Sequence, residues 1–243
     1  MDITVLGSGS AIQFEERASA SFLIEANGKK ILLDAGFHLL DRLEKNGIMA
    51  DEIDAVYISH KHPDHFFGLL HLLFALKNRY YSPKEKLHIF GFKGLEAWIR
   101  SFQKLMGRWL EPNIELIFSE DTKGEFDEIK WQTFKTVHSP ESTGIVLESK
   151  GKKIVYSGDT EMFDKLINIV NLADVFIAEC GSGNNKKIKG HMCLNDILYI
   201  TESAKVARVL LTHIYPETDQ TDAEWKHGAT LFTRSYDHYK ISL

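Results

Sequence analysis

The chain has 243 residues, 44% apolar and 26% charged, as expected for a globular protein with a sizeable core, and its net charge of −5 argues against general polyanion binding. No stretch approaches the ~18 uninterrupted apolar residues that a membrane span needs, and no basic segment followed by an apolar run opens the chain. Two cysteines, Cys180 and Cys193, exclude a disulfide framework, so we expect a cytoplasmic protein without membrane contact.

Apolar runs in the first half predict strands separated by turns and helices. The dipeptide Asn27-Gly28 lies between two such runs and favours a β-hairpin. The predicted strands are residues 3–6, 21–26, 29–36, 53–59 and 87–90. The predicted helices are residues 66–76 and 95–106.

The second half repeats the pattern of strands leading into helices. A hairpin is predicted over 142–159, turning at Lys150-Gly151. Further predicted elements are strands at 129–137, 174–180 and 207–212 and a helix at 193–204. Two similar β-rich halves, approximately 1–120 and 121–243, predict a single domain over 1–243 in which two sheets pack face to face with helices outside.

A dense cluster of metal-ligand residue types follows the predicted strand at 53–59. In SHKHPDHFFG (59–68), His60 and His62 alternate, so an extended backbone directs both to one side, where they can chelate one ion. Asp64 and His65 come at the turn into the helix and can start a second site. The plain alternative is a polar loop with coincidental histidines.

Three more candidate ligands directly follow apolar strands: His138, Asp159 and His213. The carboxyl ends of neighbouring strands meet at one edge of a layered fold, the usual place for a site. Several strands ending this way disfavour the coincidental reading. Asp34 also ends a predicted strand, and we expect it to orient a ligand histidine from behind.

Imidazole nitrogens and carboxylate oxygens together suit two Zn²⁺ ions, with Mn²⁺ or Fe²⁺ as alternatives. Ions ~3.5–4 Å apart can share a hydroxide that acts as the nucleophile. The predicted first site is His60, His62 and His138, the second is Asp64, His65 and His213, and Asp159 bridges them.

In this order, these residues resemble the five motifs of the metallo-β-lactamase superfamily. Asp34 matches the first motif, the cluster from His60 to His65 the second, and His138, Asp159 and His213 the remaining three. The resemblance covers about residues 2–215. It implies a four-layer αββα sandwich with a dinuclear site at one edge of the sheets.

Within that superfamily the chain resembles ribonuclease Z and related phosphodiesterases at VLGSGSA, LHIFGFKGLEAWI, SGDT and AEC…GHMCLNDI. This implies that Glu179 and His191 form a proton relay in which His191 is the general acid and Glu179 orients it, acting with Asp64 as catalytic residues. The family's His-Ser-Thr is His191-Met192-Cys193 here. Only 21 positions separate His138 from Asp159, which leaves no room for the long arm that grips tRNA in ribonuclease Z.

The resulting hypothesis is a dinuclear-metal phosphodiesterase acting on RNA or a small cyclic phosphate. The alternative is a carbon-ester hydrolase, such as a lactonase, a glyoxalase-II-like thioesterase or a β-lactamase-like enzyme. A metal-stabilised binding module is a third class, disfavoured because none of the seven ligands is missing. A homodimer is left open. Three lysines near His191 are candidates for steering a phosphate, or else a solvated loop: Lys186, Lys187 and Lys189.

Overall fold

The first half of the chain alternates strands with helices after an initial hairpin. The computed structural model describes residues 1–78, 84–216, 218 and 222–243. In chain order the elements of this half are β1 (Asp2–Gly7), β2 (Ser21–Ala26), β3 (Lys29–Leu33), α1 (Leu39–Lys45), β4 (Ala55–Ile58), α2 (Pro63–Lys77), β5 (Lys86–Gly91), α3 (Leu95–Met106) and β6 (Glu115–Ser119), with short 3₁₀ helices at Ala50–Glu52 and Gly107–Leu110.

The second half has the same character. Its elements are β7 (Lys123–Phe126), β8 (Ile129–Lys135), β9 (Thr143–Ser149), β10 (Lys152–Tyr156), α4 (Asp164–Val170), β11 (Ala173–Glu179), α5 (Leu194–Ser203), β12 (Val206–Thr212), β13 (Glu224–His227), β14 (Thr230–Arg234) and β15 (Lys240–Ser242). Both predicted hairpins are confirmed: Asn27 and Gly28, and likewise Lys150 and Gly151, have the positive φ angles of a type I′ turn.

Each sheet combines an antiparallel part with a parallel part. In the described ranges, one sheet has the order β15-β1-β2-β3-β4-β5-β6 and the other the order β13-β14-β12-β11-β10-β9-β8-β7. Pairing is antiparallel up to β3 and parallel from β3 to β6. In the second sheet it is antiparallel from β7 to β10 and parallel from β10 through β11 and β12 to β14.

Three apolar clusters place the sheets face to face between helices. One cluster lies between the sheets and includes Phe22, Tyr57 and Tyr156. A second packs α1, α2 and α3 on the outer face of the first sheet, and the third packs α4 and α5 on the outer face of the second. The four-layer αββα arrangement predicted above is therefore confirmed. None of the described helices is long and apolar enough to cross a membrane.

The turn after β3 is fastened to the start of α2. The Ala35 amide donates to the His65 carbonyl at 2.8 Å, and the Gly68 amide donates to the Ala35 carbonyl at 2.8 Å. Gly68 also fits closely, because a Cβ there would collide with the backbone of Ala35 and Gly36. This contact fixes Asp34 next to the histidine-rich segment.

Candidate metal centre

The predicted site residues lie at strand ends along one edge of the two sheets. Asp34 directly follows β3, and His213 directly follows β12. Both adopt left-handed backbone angles, with φ of 58° and 56°, which are uncommon for residues other than glycine. The two halves thus use the same backbone device, a strand that ends in a sharp turn, to direct a polar side chain into the site.

The first cluster contains His60, His62, His138 and Asp159, whose ligand atoms all lie within 4.8 Å of one another. His138 Nε2 is 3.0 Å from His62 Nδ1 and 3.6 Å from Asp159 Oδ2. His60 Nε2 is 3.7 Å from the same Asp159 oxygen. Four ligand atoms this close together can surround one divalent ion in the tetrahedral coordination that Zn²⁺ prefers.

The second cluster contains Asp64, His65 and His213. Asp64 Oδ2 lies 3.5 Å from His65 Nε2 and 3.4 Å from His213 Nε2. Asp159 reaches this cluster too, because its Oδ1 is 3.4 Å from His65 Nε2 and its Oδ2 is 3.4 Å from His213 Nε2. Asp159 therefore lies between the two clusters, and all seven side chains predicted as ligands come together.

The donor atoms of these clusters suit a cation rather than internal hydrogen bonds. Among the described residues, His60 Nε2, His65 Nε2, both ring nitrogens of His213 and Asp159 Oδ1 are buried without a hydrogen-bond partner. Buried polar atoms are rarely left unpaired in a protein interior. Nitrogen and carboxylate donors converging at this spacing fit Zn²⁺ or a similar divalent metal.

Burial and neighbouring charge act in opposite directions on these side chains. Burial lowers the pKa of His60 well below its usual value, which favours the neutral form that binds metal. Burial also opposes charge on His65, but nearby carboxylates, Asp159 first, raise its pKa well above the usual value. For Asp159, burial raises the pKa, but His213 and His65 outweigh it, so the pKa is well below the usual range.

Glu179 and His191, implied by the resemblance as a proton relay, lie in direct contact. Glu179 is buried at the end of β11, and its Oε1 is 3.1 Å from His191 Nδ1. The Glu179 carboxylate also accepts hydrogen bonds from the backbone amides of Thr160, Gly181 and Met192. The amides hold the carboxylate in one orientation, so the carboxylate in turn fixes the ring of His191.

The His191 ring lies beside both clusters. Its centroid is 5.1 Å from that of His213, nearly parallel, and 5.0 Å from that of His138. Burial lowers the His191 pKa, but the hydrogen bond to Glu179 and its charge prevail and raise it to about 8. A ring nitrogen of His191 is also within 4.8 Å of ligand atoms of Asp159 and His213. These three side chains therefore form a third group that is able to bind a metal ion.

The sequence did not predict a contact between His138 of the first cluster and Gly190, the residue directly before His191. His138 Nδ1 donates to the Gly190 carbonyl at 2.9 Å, and the Gly190 amide donates to Glu161 Oε1 at 2.8 Å. Gly190 has φ of 87°, and a Cβ there would meet His138 Nδ1 at 2.6 Å. The adjacent positions of Gly190 and His191 in the sequence were the available signal.

Of the three lysines proposed to steer a phosphate, Lys187 is engaged elsewhere. Its Nζ donates to Asp196 Oδ1 at 2.8 Å at the start of α5. That hydrogen bond is the main cause of a raised Lys187 pKa. Lys186 and Lys189 lie on the same exposed loop. A role for these lysines in binding stays a prediction.

Residues 1–239 match the family described as Anti-Pycsar protein Apyc1. The chain is 27% identical to a ribonuclease Z of Clostridioides difficile (strain 630) and 28% identical to the probable metallo-hydrolase YhfI of Bacillus subtilis (strain 168); each alignment covers 96% of this chain and 94% of the relative. The human short-form tRNase Z has a similar structure, with a TM-score of 0.83 and 24% identity over 100% of this chain and 99% of that one.

The match to the family model covers nearly the whole chain, and one of the relatives is named a probable metallo-hydrolase. The chain therefore belongs to the Apyc1 family and is a metal-dependent hydrolase with the metallo-β-lactamase fold and a likeness to ribonuclease Z.

Proposed function

We propose that this protein is a phosphodiesterase that uses two divalent metal ions, most simply Zn²⁺. One ion would be held by His60, His62 and His138, the other by Asp64, His65 and His213, and Asp159 would contribute to both. The position of Asp159 within 3.7 Å of donor atoms of both clusters supports a paired centre over a single one. Bound ions supply an acidified water and neutralise charge on the phosphoryl oxygens.

The observation that carries the phosphodiester assignment is the contact between His191 and Glu179 at 3.1 Å beside the clusters. Hydrolysis of a phosphodiester forms a bond from water oxygen to phosphorus and breaks the bond to the leaving oxygen. The leaving oxygen needs a proton, which protonated His191 donates, and the proton lost by water restores the imidazolium. The Glu179 carboxylate accepts a hydrogen bond from His191 Nδ1–H and stabilises the charged imidazolium ring.

The surroundings of the site favour a small phosphodiester over RNA. Between His138 and Asp159 the chain makes only the tight hairpin of β9 and β10, with no inserted arm. Lys61, which lies between His60 and His62 in the sequence, has its ammonium group over the rings of Phe92 and Trp98. RNA binding needs several cations along the strand. We therefore propose a small cyclic phosphodiester as the first substrate class and retain RNA as the rival.

Turnover of model substrates tests this assignment. We expect hydrolysis of bis(p-nitrophenyl) phosphate with Mn²⁺ or Zn²⁺, and of a ribose cyclic phosphodiester at a higher kcat/KM than a tRNA with a 3′ extension. Protein treated with a chelator is the control and should be inactive until metal is restored. Turnover of a thioester or a lactone without turnover of any phosphodiester would establish the carbon-ester alternative instead.

The pH profile should report the His191 proton. Because the His191 pKa is raised to about 8, the protonated form is present below that pH and is lost as the pH rises through it. We expect kcat on a diester with an alkyl leaving group to fall along this alkaline limb. Cations bound nearby would move the limb to lower pH.

Glu179→Gln isolates the cause of that shift. It keeps the shape of the side chain but removes the charge that raises the His191 pKa, so the alkaline limb should move to lower pH. With p-nitrophenol as leaving group, which needs no proton, the limb should be shallower in both proteins. An unmoved limb in Glu179→Gln would contradict the relay.

A further inference from the structure

One buried carboxylate contacts a histidine of the second cluster directly and is linked to a histidine of the first cluster through one serine hydroxyl. Asp34 Oδ2 accepts a hydrogen bond from His65 Nδ1 at 2.6 Å. The same oxygen is 2.7 Å from Ser59 Oγ, and Ser59 Oγ is 2.9 Å from His60 Nδ1. The Ser59 amide also donates to Asp34 Oδ1 at 2.7 Å. Asp34, Ser59, His60 and His65 are all fully buried.

The direction of each hydrogen bond in this chain is determined. A carboxylate only accepts, so the single hydroxyl proton of Ser59 points to Asp34. The Ser59 oxygen then has only lone pairs left for His60, so His60 carries its proton on Nδ1 and donates it to Ser59. His65 likewise carries its proton on Nδ1, toward Asp34. In both rings Nε2 is the nitrogen directed at the carboxylates of the metal clusters, and it offers a lone pair there when the ring is neutral.

The opposite sheet fixes the carboxylate in turn. Tyr156, at the end of β10, donates its hydroxyl to Asp34 Oδ2 at 2.6 Å. Asp34 ends β3 of the first sheet, so this bond crosses the space between the sheets. With four donors on two oxygens, the Asp34 carboxylate has one orientation open to it.

We propose that Ser59 is a positioning residue that extends the action of Asp34 to the first metal cluster. Asp34 acts directly on His65 of the second cluster and, through the Ser59 hydroxyl, on His60 of the first, so one carboxylate sets the tautomer of a ligand in each site. This inference rests on the proposed pair of metal sites. Partners that hold a ligand histidine from behind typically contribute ~10–100-fold to metal affinity.

Ser59→Ala tests the relay by a selective loss. We expect the affinity of the cluster of His60, His62, His138 and Asp159 for Zn²⁺ to fall ~10-fold or more, while the cluster of Asp64, His65 and His213 keeps its ion. Stepwise titration against a chromophoric chelator gives the two affinities, and cadmium NMR resolves the two sites. Ser59→Thr keeps the hydroxyl and should restore the lost affinity. Asp34→Asn should weaken both sites.

Ser21→Ala is the matched control, because the buried Ser21 hydroxyl donates to the main-chain oxygen of Asp34 at 3.0 Å and not to its carboxylate. This variant removes a buried serine hydroxyl beside Asp34 and should leave both affinities unchanged. An equal loss at both sites in Ser59→Ala, or no loss at either, would overturn the proposal.

A second readout needs no bound metal. Long-range proton–nitrogen correlation spectra of the metal-free protein should show His60 protonated on Nδ1 in the unsubstituted chain, and a shift toward the Nε2 form in Ser59→Ala. If the unsubstituted chain binds one ion only, the paired centre fails, while this tautomer still decides the role of Ser59. A His60 protonated on Nε2 in the unsubstituted chain would exclude the relay.

Discussion

Asp159→Ala is expected to remove metal from both clusters and to abolish hydrolysis with it. The Asp159 carboxylate is buried and lies within 3.7 Å of nitrogens of His60, His65, His138 and His213. Its removal leaves these histidines facing one another without the negative charge that a pair of cations requires. We expect the loss of metal affinity to exceed the ~10–100-fold typical of an outer partner.

Metal per chain after dialysis, measured by elemental analysis, and turnover of bis(p-nitrophenyl) phosphate check this result together. Asp121→Ala serves as the control, since Asp121 is an exposed carboxylate in the turn between the two sheets. That variant should bind metal and turn over substrate as the unsubstituted chain does. A fully loaded and active Asp159→Ala protein would refute the bridging position of this residue.

His191→Ala is expected to lower kcat by ~10²–10⁴ on substrates with poor leaving groups while sparing metal content. His191 is held by Glu179 through Nδ1, with its ring stacked against His213, and in the proposed mechanism it donates a proton to the leaving oxygen and does not bind metal. The loss should shrink with p-nitrophenol as leaving group, because that anion departs without protonation.

Measuring metal content together with the dependence of kcat on the leaving group distinguishes the general-acid role of His191 from a metal-ligand role. Asp159, His191 and His213 also form a group whose ligand atoms lie within 4.8 Å, so His191 could itself bind an ion. Metal lost in parallel with activity in His191→Ala would establish the ligand role. His71→Ala, at an exposed position of α2, is the matched histidine control and should change neither quantity.

Local sequence patterns predicted the strands and hairpins that carry the site, with small errors at their ends. The strand expected at 129–137 ends at Lys135, because the chain turns toward His138 two residues earlier. Strands β6, β7 and β13 to β15 were not predicted. The last of these pairs with β1, at the far end of the chain, a contact that no local period reveals.

The ligand residues were recognisable because each follows an apolar strand, a pattern that strand geometry converts into one shared edge. The sequence therefore determined the αββα fold class and the set of seven metal-binding candidates, since both depend on local order repeated along the chain. Glu179 and His191 came from resemblance alone, because nothing in their spacing predicts a contact.

The sequence predicted Asp34 behind a ligand histidine, but only the tertiary structure decided which other side chains act there with it. Ser59 is adjacent to His60 in the sequence, but its role depends on Asp34, 25 positions earlier, and on Tyr156, 122 positions from Asp34. Gly190 and His138 are 52 positions apart. Such partners are set by how the two sheets pack against each other, and hydrogen bonds between distant strand ends leave no periodic trace in the chain.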